Sequence, residues 1–425
     1  MSAASVISFL VCAAIVVSCF RKDADILSPF RIFGFVWSAT IGLTDLKWSR
    51  FQTDWSGLSW VIVLLGPLSF IAGLFVLYVL NMGERHLSLA EMRERLRSTN
   101  VGEGRLFALT TIVFVLYALA YLLSFAIKGF LPLLSPGKGF VRTEWGVFGI
   151  GVLINSTPTI VFLTVLYHVV AGGQRRRKLI LKLLTVISLV SYFLLLQRFQ
   201  VVMGLIMSGT LVYYATNRLR LRVVLTSALA VVGFYFWISI LRASALVHMI
   251  FYTTSRMKIP PQYALVTEPY MYLVMGSENL ARSVERLDTF TYGFYTFDFL
   301  TALTGLKHWM TDYFHFVDTP FLVSGYNTYT AFWTFYRDFS LVGVTIVPLF
   351  LGACVGALYY RLRQGPTFRT LTAYSFVVFL MLFSFFIMPA SFLWFFYNVC
   401  VLSVILAAVS GPVKAGIPRG SHANA

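Results

Sequence analysis

An all-α polytopic membrane protein with about 11 transmembrane helices and one large polar loop, itself carrying amphipathic helices near 262–285 and 293–304, is the fold class the sequence predicts. Three observations predict it. Of 425 residues, 58% are hydrophobic and only 12% charged, and mean hydropathy is +0.78, which is not the balance of a soluble domain. Apolar runs near the length that crosses a bilayer, roughly 20 residues, follow one another almost end to end. The single long interruption, residues 242–338, gathers a dense set of ionisable side chains.

In chain order the spans are expected at about 4–20, 27–44, 58–80, 106–127, 148–171, 179–197, 201–216, 223–243, 339–359, 371–388 and 391–410. The first run lacks a basic leader and continues into a second span, so it reads as a true helix and not a cleaved signal. The chain divides into helices 1–8 over residues 1–241, a large loop over 242–338, helices 9–11 over 339–410 and a tail over 411–425. Orientation follows from Lys and Arg. Alternate connections, from Arg21/Lys22 through Arg175–Lys178 to Arg361/Arg363, hold twenty of them, against six in the short loops on the other side. The basic side is the cytoplasmic one. The N-terminus and the 242–338 loop then face outward, and the C-terminus inward.

The net charge of +17 is accounted for by these short clusters, and nothing in them resembles a nucleic-acid surface. Cys12, Cys19, Cys354 and Cys400 lie in apolar runs without CxxC spacing, which argues against a metal site or a disulfide framework. The basic connections hold no glycine-rich phosphate loop and no acidic cluster, so a nucleotide site there is not expected. One of them, Glu84–Arg105, reads as a charged surface helix with Glu91 and Arg95 paired at i,i+4. No cofactor is expected, and no metal. Any chemistry belongs to the outer face.

There the arginines matter most. Arg198 lies in a tight turn between two spans and Arg242 ends a third. Each can simply snorkel to headgroups, yet several arginines on one face also suit a phosphate group, which the guanidinium fork binds bidentately. Arg142 and Arg337 are candidates for the same pocket. Arg31 reads as a snorkelling anchor and His168 as a helix-packing residue. The aromatic stripe at 330–336 reads first as packing and second as a sugar platform. Among the acids, Glu278 is placed to pair with Arg282. Asp338 either caps the helix that follows it or acts as a general base, with Glu278, His315 and Asp318 as alternatives.

The run Tyr326-Asn327-Thr328-Tyr329, then Tyr336-Arg337-Asp338-Phe339, then Gly343 and an apolar span resembles the oligosaccharide repeat-unit polymerases, the Wzy-type O-antigen polymerases. Ser340 stands where that motif usually has glycine. Leu27–Arg31 and Leu131–Ser135 with the following Arg142 are similar to further landmarks of the family. The motifs are short and the family varies widely in sequence, so the specific likeness is confined to them.

The resemblance implies a GT-C-like glycosyltransferase of the bacterial inner membrane, independent of metal and nucleotide. It implies that the growing glycan moves from its undecaprenyl diphosphate onto the non-reducing end of the next lipid-linked unit, on the periplasmic face. Donor and acceptor lipids, and a chain-length regulator protein, are the partners it implies. In that scheme Asp338, Glu278 or His315 is the base, and Arg198, Arg242 and Arg142 hold the diphosphate. Asn327, Tyr329, Tyr336, Arg337 and Arg282 orient glycan or brace the loop. An O-antigen ligase acting on lipid A core is the nearest alternative. A flippase for lipid-linked oligosaccharide is the alternative of another class, although no internal repeat of the transporter kind is visible.

Overall fold

Helices dominate because the sequence offers long apolar runs with few breakers. The computed structural model describes residues 2–21, 24–135, 145–216, 233, 237, 239, 240, 247–287, 289–314, 322, 323 and 325–410. In order the helices are α1 (Ala3–Cys19), α2 (Pro29–Asp45), α3 (Gly57–Leu80), α4 (Leu89–Arg97), α5 (Glu103–Lys128), α6 (Gly151–Ile154), α7 (Thr157–Val170) and α8 (Arg175–Leu194). They continue with α9 (Phe199–Ala215), α10 (Val247–Thr254), α11 (Thr267–Arg286), α12 (Asp298–Thr304), α13 (Leu306–Phe314), α14 (Ala331–Gln364), α15 (Phe368–Phe383) and α16 (Leu393–Val409). Among the described residues there are isolated bridges but no strand.

Among the described residues, four helical stretches are long and apolar enough to cross a membrane: Gly57–Leu80, Glu103–Lys128, Gly151–Val170 and Ala331–Gln364. This makes the chain a helical membrane protein. Helices α1, α9, α15 and α16 are apolar but shorter. Most of the run expected to span at 223–243 lies outside the described residues.

The connections gather into two groups. At one end the chain between α2 and α3 meets α11: the Trp48 N–H donates to Tyr270 Oη at 3.0 Å, and Ser59 donates to the Ala281 carbonyl at 3.2 Å. Arg198, between α8 and α9, reaches Tyr272 of α11 at the same end. At the other end the Gly102 N–H donates to the Val409 carbonyl and the Leu87 N–H to the Arg363 carbonyl. Asp25 locks this second end. Its buried carboxylate accepts from Tyr214 and Tyr359 at 2.9 Å and from Arg363 at 3.1 Å. Arg31, expected to snorkel, instead donates to the Asp25 carbonyl at 2.6 Å and to Ser18 at 3.1 Å; it closes the turn between α1 and α2. Helix α4 forms as expected, but Glu91 pairs with Arg85 and caps through Ser88, while Arg95 donates to the Gln364 carbonyl. The capping box draws Glu91 toward the helix start, away from Arg95.

The central pair is α3 against α14, held at backbone distance by glycine. A Cβ on Gly73 would lie 2.0 Å from the Leu349 carbonyl oxygen, and one on Gly352 would lie 2.1 Å from that of Phe70. Gly352 and Gly356 form a small-xxx-small face, the spacing that lets helices approach closely without a hydrophobic driving force between them.

Helix α14 begins earlier than its apolar run suggests. The Thr330 side chain accepts from the Trp333 N–H and caps the helix start, so the aromatic stripe belongs to the helix itself. The helix is then broken at Phe339 (φ −132°, ψ 15°) and Ser340 (φ 57°, ψ −146°). Ser340 occupies the left-handed half of φ that a glycine adopts without cost.

Candidate functional site

Helix α11 carries the polar side chains of the 242–338 segment against the bundle. Glu268 in its first turn and Arg286 in its last both suit the helix dipole. The helix has an apolar stripe, yet Glu278, Asn279 and Ser283 are fully buried as well. Burial of such groups requires partners, and each has at least one.

Glu278 is saturated. Its carboxylate accepts from the Thr53 N–H at 3.1 Å and the Thr53 hydroxyl at 3.0 Å, from the Trp55 indole at 2.8 Å and from Arg282 Nε at 3.0 Å. The expected i,i+4 pair with Arg282 is present. Arg282 also donates to the Leu322 and Phe51 carbonyls. Together the pair fastens the α2–α3 connection and the chain near Leu322 to α11.

Asn279 braces the tyrosine-rich run: its amide donates to the Thr328 carbonyl at 2.8 Å and the Tyr326 carbonyl at 3.3 Å. Tyr326 bonds to Ser255, Tyr329 lies over Trp333 with ring centres 4.1 Å apart, and Tyr336 meets Phe290 edge-on. Burial raises the phenol pKa values of Tyr326 and Tyr329 and pushes that of Tyr270 up to about 12; all three are neutral donors at ordinary pH. Asn327 is exposed.

Asp338 does not open a helix. It lies at the break in α14 with its carboxylate fully buried, accepting from the Thr296 N–H at 2.6 Å, the Tyr295 N–H at 3.2 Å and the Thr291 hydroxyl. The expected cap of the helix that follows it is not made; Thr330 caps α14, and the Asp338 carboxylate holds the turn before α12. The broken ladder is repaired by the same segment: the Thr291 and Tyr292 N–H groups donate to the Arg337 and Asp338 carbonyls, each at 3.1 Å. Residues 289–297 thus wrap the break.

Of the four arginines considered for a phosphate, the two described ones, Arg198 and Arg337, differ. Arg198 is matched: it lies 3.6 Å from Glu268, donates to Ser239 at 2.8 Å and Tyr272 at 3.1 Å, and covers the Tyr272 ring. Glu268 is a partner that the sequence alone did not single out. Arg337 is unmatched. It is 9% exposed, its Nη atoms reach only the Thr289 carbonyl and hydroxyl, its Nε has no partner, and no carboxylate bonds to it among the described residues. A buried cation is costly unless a negative charge lies close to it.

These two arginines attach to opposite ends of α11, Arg198 at Glu268 and Tyr272, Arg337 just beyond Arg286. At 1.5 Å per residue the ends are about 27 Å apart, too far for one diphosphate to bridge. Arg142, Arg242 and His315 lie outside the described residues. At the Arg337 end, Glu285 is exposed, with its carboxylate 3.2 Å from the Ser59 hydroxyl and 3.4 Å from the Ser56 N–H. It is the one acid of α11 open to solvent, another residue the sequence reading passed over. No family model, curated protein or solved structure matches this chain.

Proposed function

We propose that the chain is a membrane glycosyltransferase of the repeat-unit polymerase kind. In this reading it transfers a glycan from polyprenyl diphosphate to the non-reducing end of a second lipid-linked unit, on the periplasmic face of the bacterial inner membrane, through a GT-C-like bundle of about 11 spans. The observation that carries the reading is Arg337: a buried cation to which no carboxylate among the described residues bonds, within the Tyr336-Arg337-Asp338-Phe339 motif, at the break of a helix long enough to span a bilayer.

Arg337 then takes the diphosphate and stabilises the negative charge that grows on it as the sugar–phosphate bond breaks. Arg198, neutralised by Glu268, is a weaker candidate for the same donor group, and Arg142 and Arg242 remain proposals of this reading. A general base needs an open lone pair within reach of the acceptor hydroxyl. Glu278 and Asp338 are fully buried with both carboxylate oxygens on fixed donors, which suits supports of the site. Glu285 has the open carboxylate, and His315 stays as the alternative. The acceptor hydroxyl loses its proton to that base and attacks the anomeric carbon, and the polyprenyl diphosphate departs with the bonding pair.

The test is reconstitution with lipid-linked repeat units as sole substrate, in the presence of chelator and without nucleotide. A ladder of lengths is expected, and Arg337→Met should slow it by about two to three orders of magnitude. No ladder, with movement of the lipid across vesicles instead, would replace this reading with a transporter.

A further inference from the structure

The short helices α12 and α13 carry an apolar stripe that is largely exposed. Phe297, Leu300, Leu303, Leu306, Trp309 and Tyr313 are between 46% and 67% exposed; within each helix the spacing, Leu300 and Leu303 on α12 and Leu306, Trp309 and Tyr313 on α13, is the three or four residues of one helical face. The other face is occupied. Phe299 stacks on Phe396 of α16 with ring centres 4.8 Å apart, and Lys307 pairs with Asp298 at 2.8 Å, clamping the two helices across the Gly305 turn.

We propose that residues 297–313 form an interfacial strap whose apolar stripe is sunk into the bilayer at the level of the headgroup–acyl boundary. Three features select the bilayer as the occupant. The strap is seated on α16, an apolar helix that itself exposes Phe396 and Val404, so the stripe prolongs an apolar outer surface of the bundle. It ends in a stacked Trp309–Tyr313 pair, ring centres 5.3 Å apart, and these two residue types favour the interface because their rings are amphipathic. Its charged groups are confined to the flanks, with Asp298 and Lys307 paired and Asp312 exposed beside Tyr313, as in helices that lie in the membrane plane. The strap follows directly on the 289–297 segment that wraps the α14 break, so its depth sets the height of Arg337 relative to the lipid surface.

The test places a nitroxide at Leu303, Leu306 or Asp312 in a variant lacking the four cysteines, reconstituted in phosphatidylcholine–phosphatidylglycerol vesicles. Collisions with oxygen, which partitions into lipid, should exceed those with a water-soluble nickel chelate at Leu303 and Leu306, with the order reversed at Asp312. Leu306→Glu should shift the Leu303 label toward water. Nickel-dominated collisions at both apolar positions would overturn the proposal, and so would labels shielded from both reagents, which would mean a protein cover such as a second copy. If the cysteine-free chain does not fold, the same question is read from brominated-lipid quenching in the native-cysteine protein. The difference between it and Trp309→Phe should show strong quenching of Trp309; unquenched Trp309 overturns the proposal. None of these readouts depends on glycosyl transfer.

Discussion

Replacing Glu278 with alanine would leave the Arg282 guanidinium buried without its carboxylate and strip acceptors from Thr53 and Trp55. Breaking a buried pair from one side costs about 3–5 kcal/mol, so Glu278→Ala should lower the thermal unfolding midpoint in detergent sharply. Asp338→Asn should also destabilise, by about 1–3 kcal/mol, because one oxygen that accepts from buried N–H groups becomes a donor. Arg337→Met is expected to behave oppositely. It loses the bonds to Thr289 but removes a buried charge that no described carboxylate pairs, and stability should stay within about 1 kcal/mol of the parent while the proposed chain extension is lost. Thermal melts on the three variants separate supports from handle. An Arg337→Met protein that unfolds like Glu278→Ala would mean that the arginine is structural.

At the scale of elements, α3 and α14 depend on close backbone approach at Gly73 and Gly352. A leucine at Gly352 has no room beside the Phe70 carbonyl. Overpacking of this kind costs about 1–3 kcal/mol or more, and Gly352→Leu should reduce the yield of monodisperse protein, whereas Gly209→Ala in α9, where a Cβ meets nothing, should not. Helix α4 should respond to acid. The Ser88 backbone and hydroxyl, with Arg85, hold Glu91 below the usual carboxylate range. A depressed pKa stabilises the folded form above the ordinary carboxylate pKa, and that contribution fades as pH falls through the lowered value. Hydrogen-exchange protection of the Met92 and Leu96 amides should therefore decline below about pH 4, and should lose this dependence in Glu91→Gln.

These elements also mark what the sequence can reveal. Apolar runs announce α3, α5 and α14 because length and hydropathy are local properties, and the i,i+4 pair of Glu278 and Arg282 is local too. The early start of α14 was hidden because Thr330–Tyr336 reads as an aromatic loop until its cap is known. The break at Phe339–Ser340 is not visible either: it is stabilised by residues 289–297, more than forty positions upstream. The pairing of Arg198 with Glu268 depends on the same kind of remote contact, and so does the placing of Arg337 against Thr289.

For the molecule as a whole, polar side chains collect over one end of the helices while Asp25 and its tyrosines fasten the other. In the proposed reading, the helix break beside buried Arg337 is the fixed place that receives an anionic headgroup at the edge of the bilayer. The most direct measurement is calorimetric titration of detergent-solubilised protein with a short-chain polyprenyl diphosphate, comparing the parent chain with Arg337→Met. One lost charge-assisted contact is worth about 1.5–3 kcal/mol, so the variant should bind roughly ten- to a hundredfold more weakly. Equal affinity in the two proteins would contradict the account.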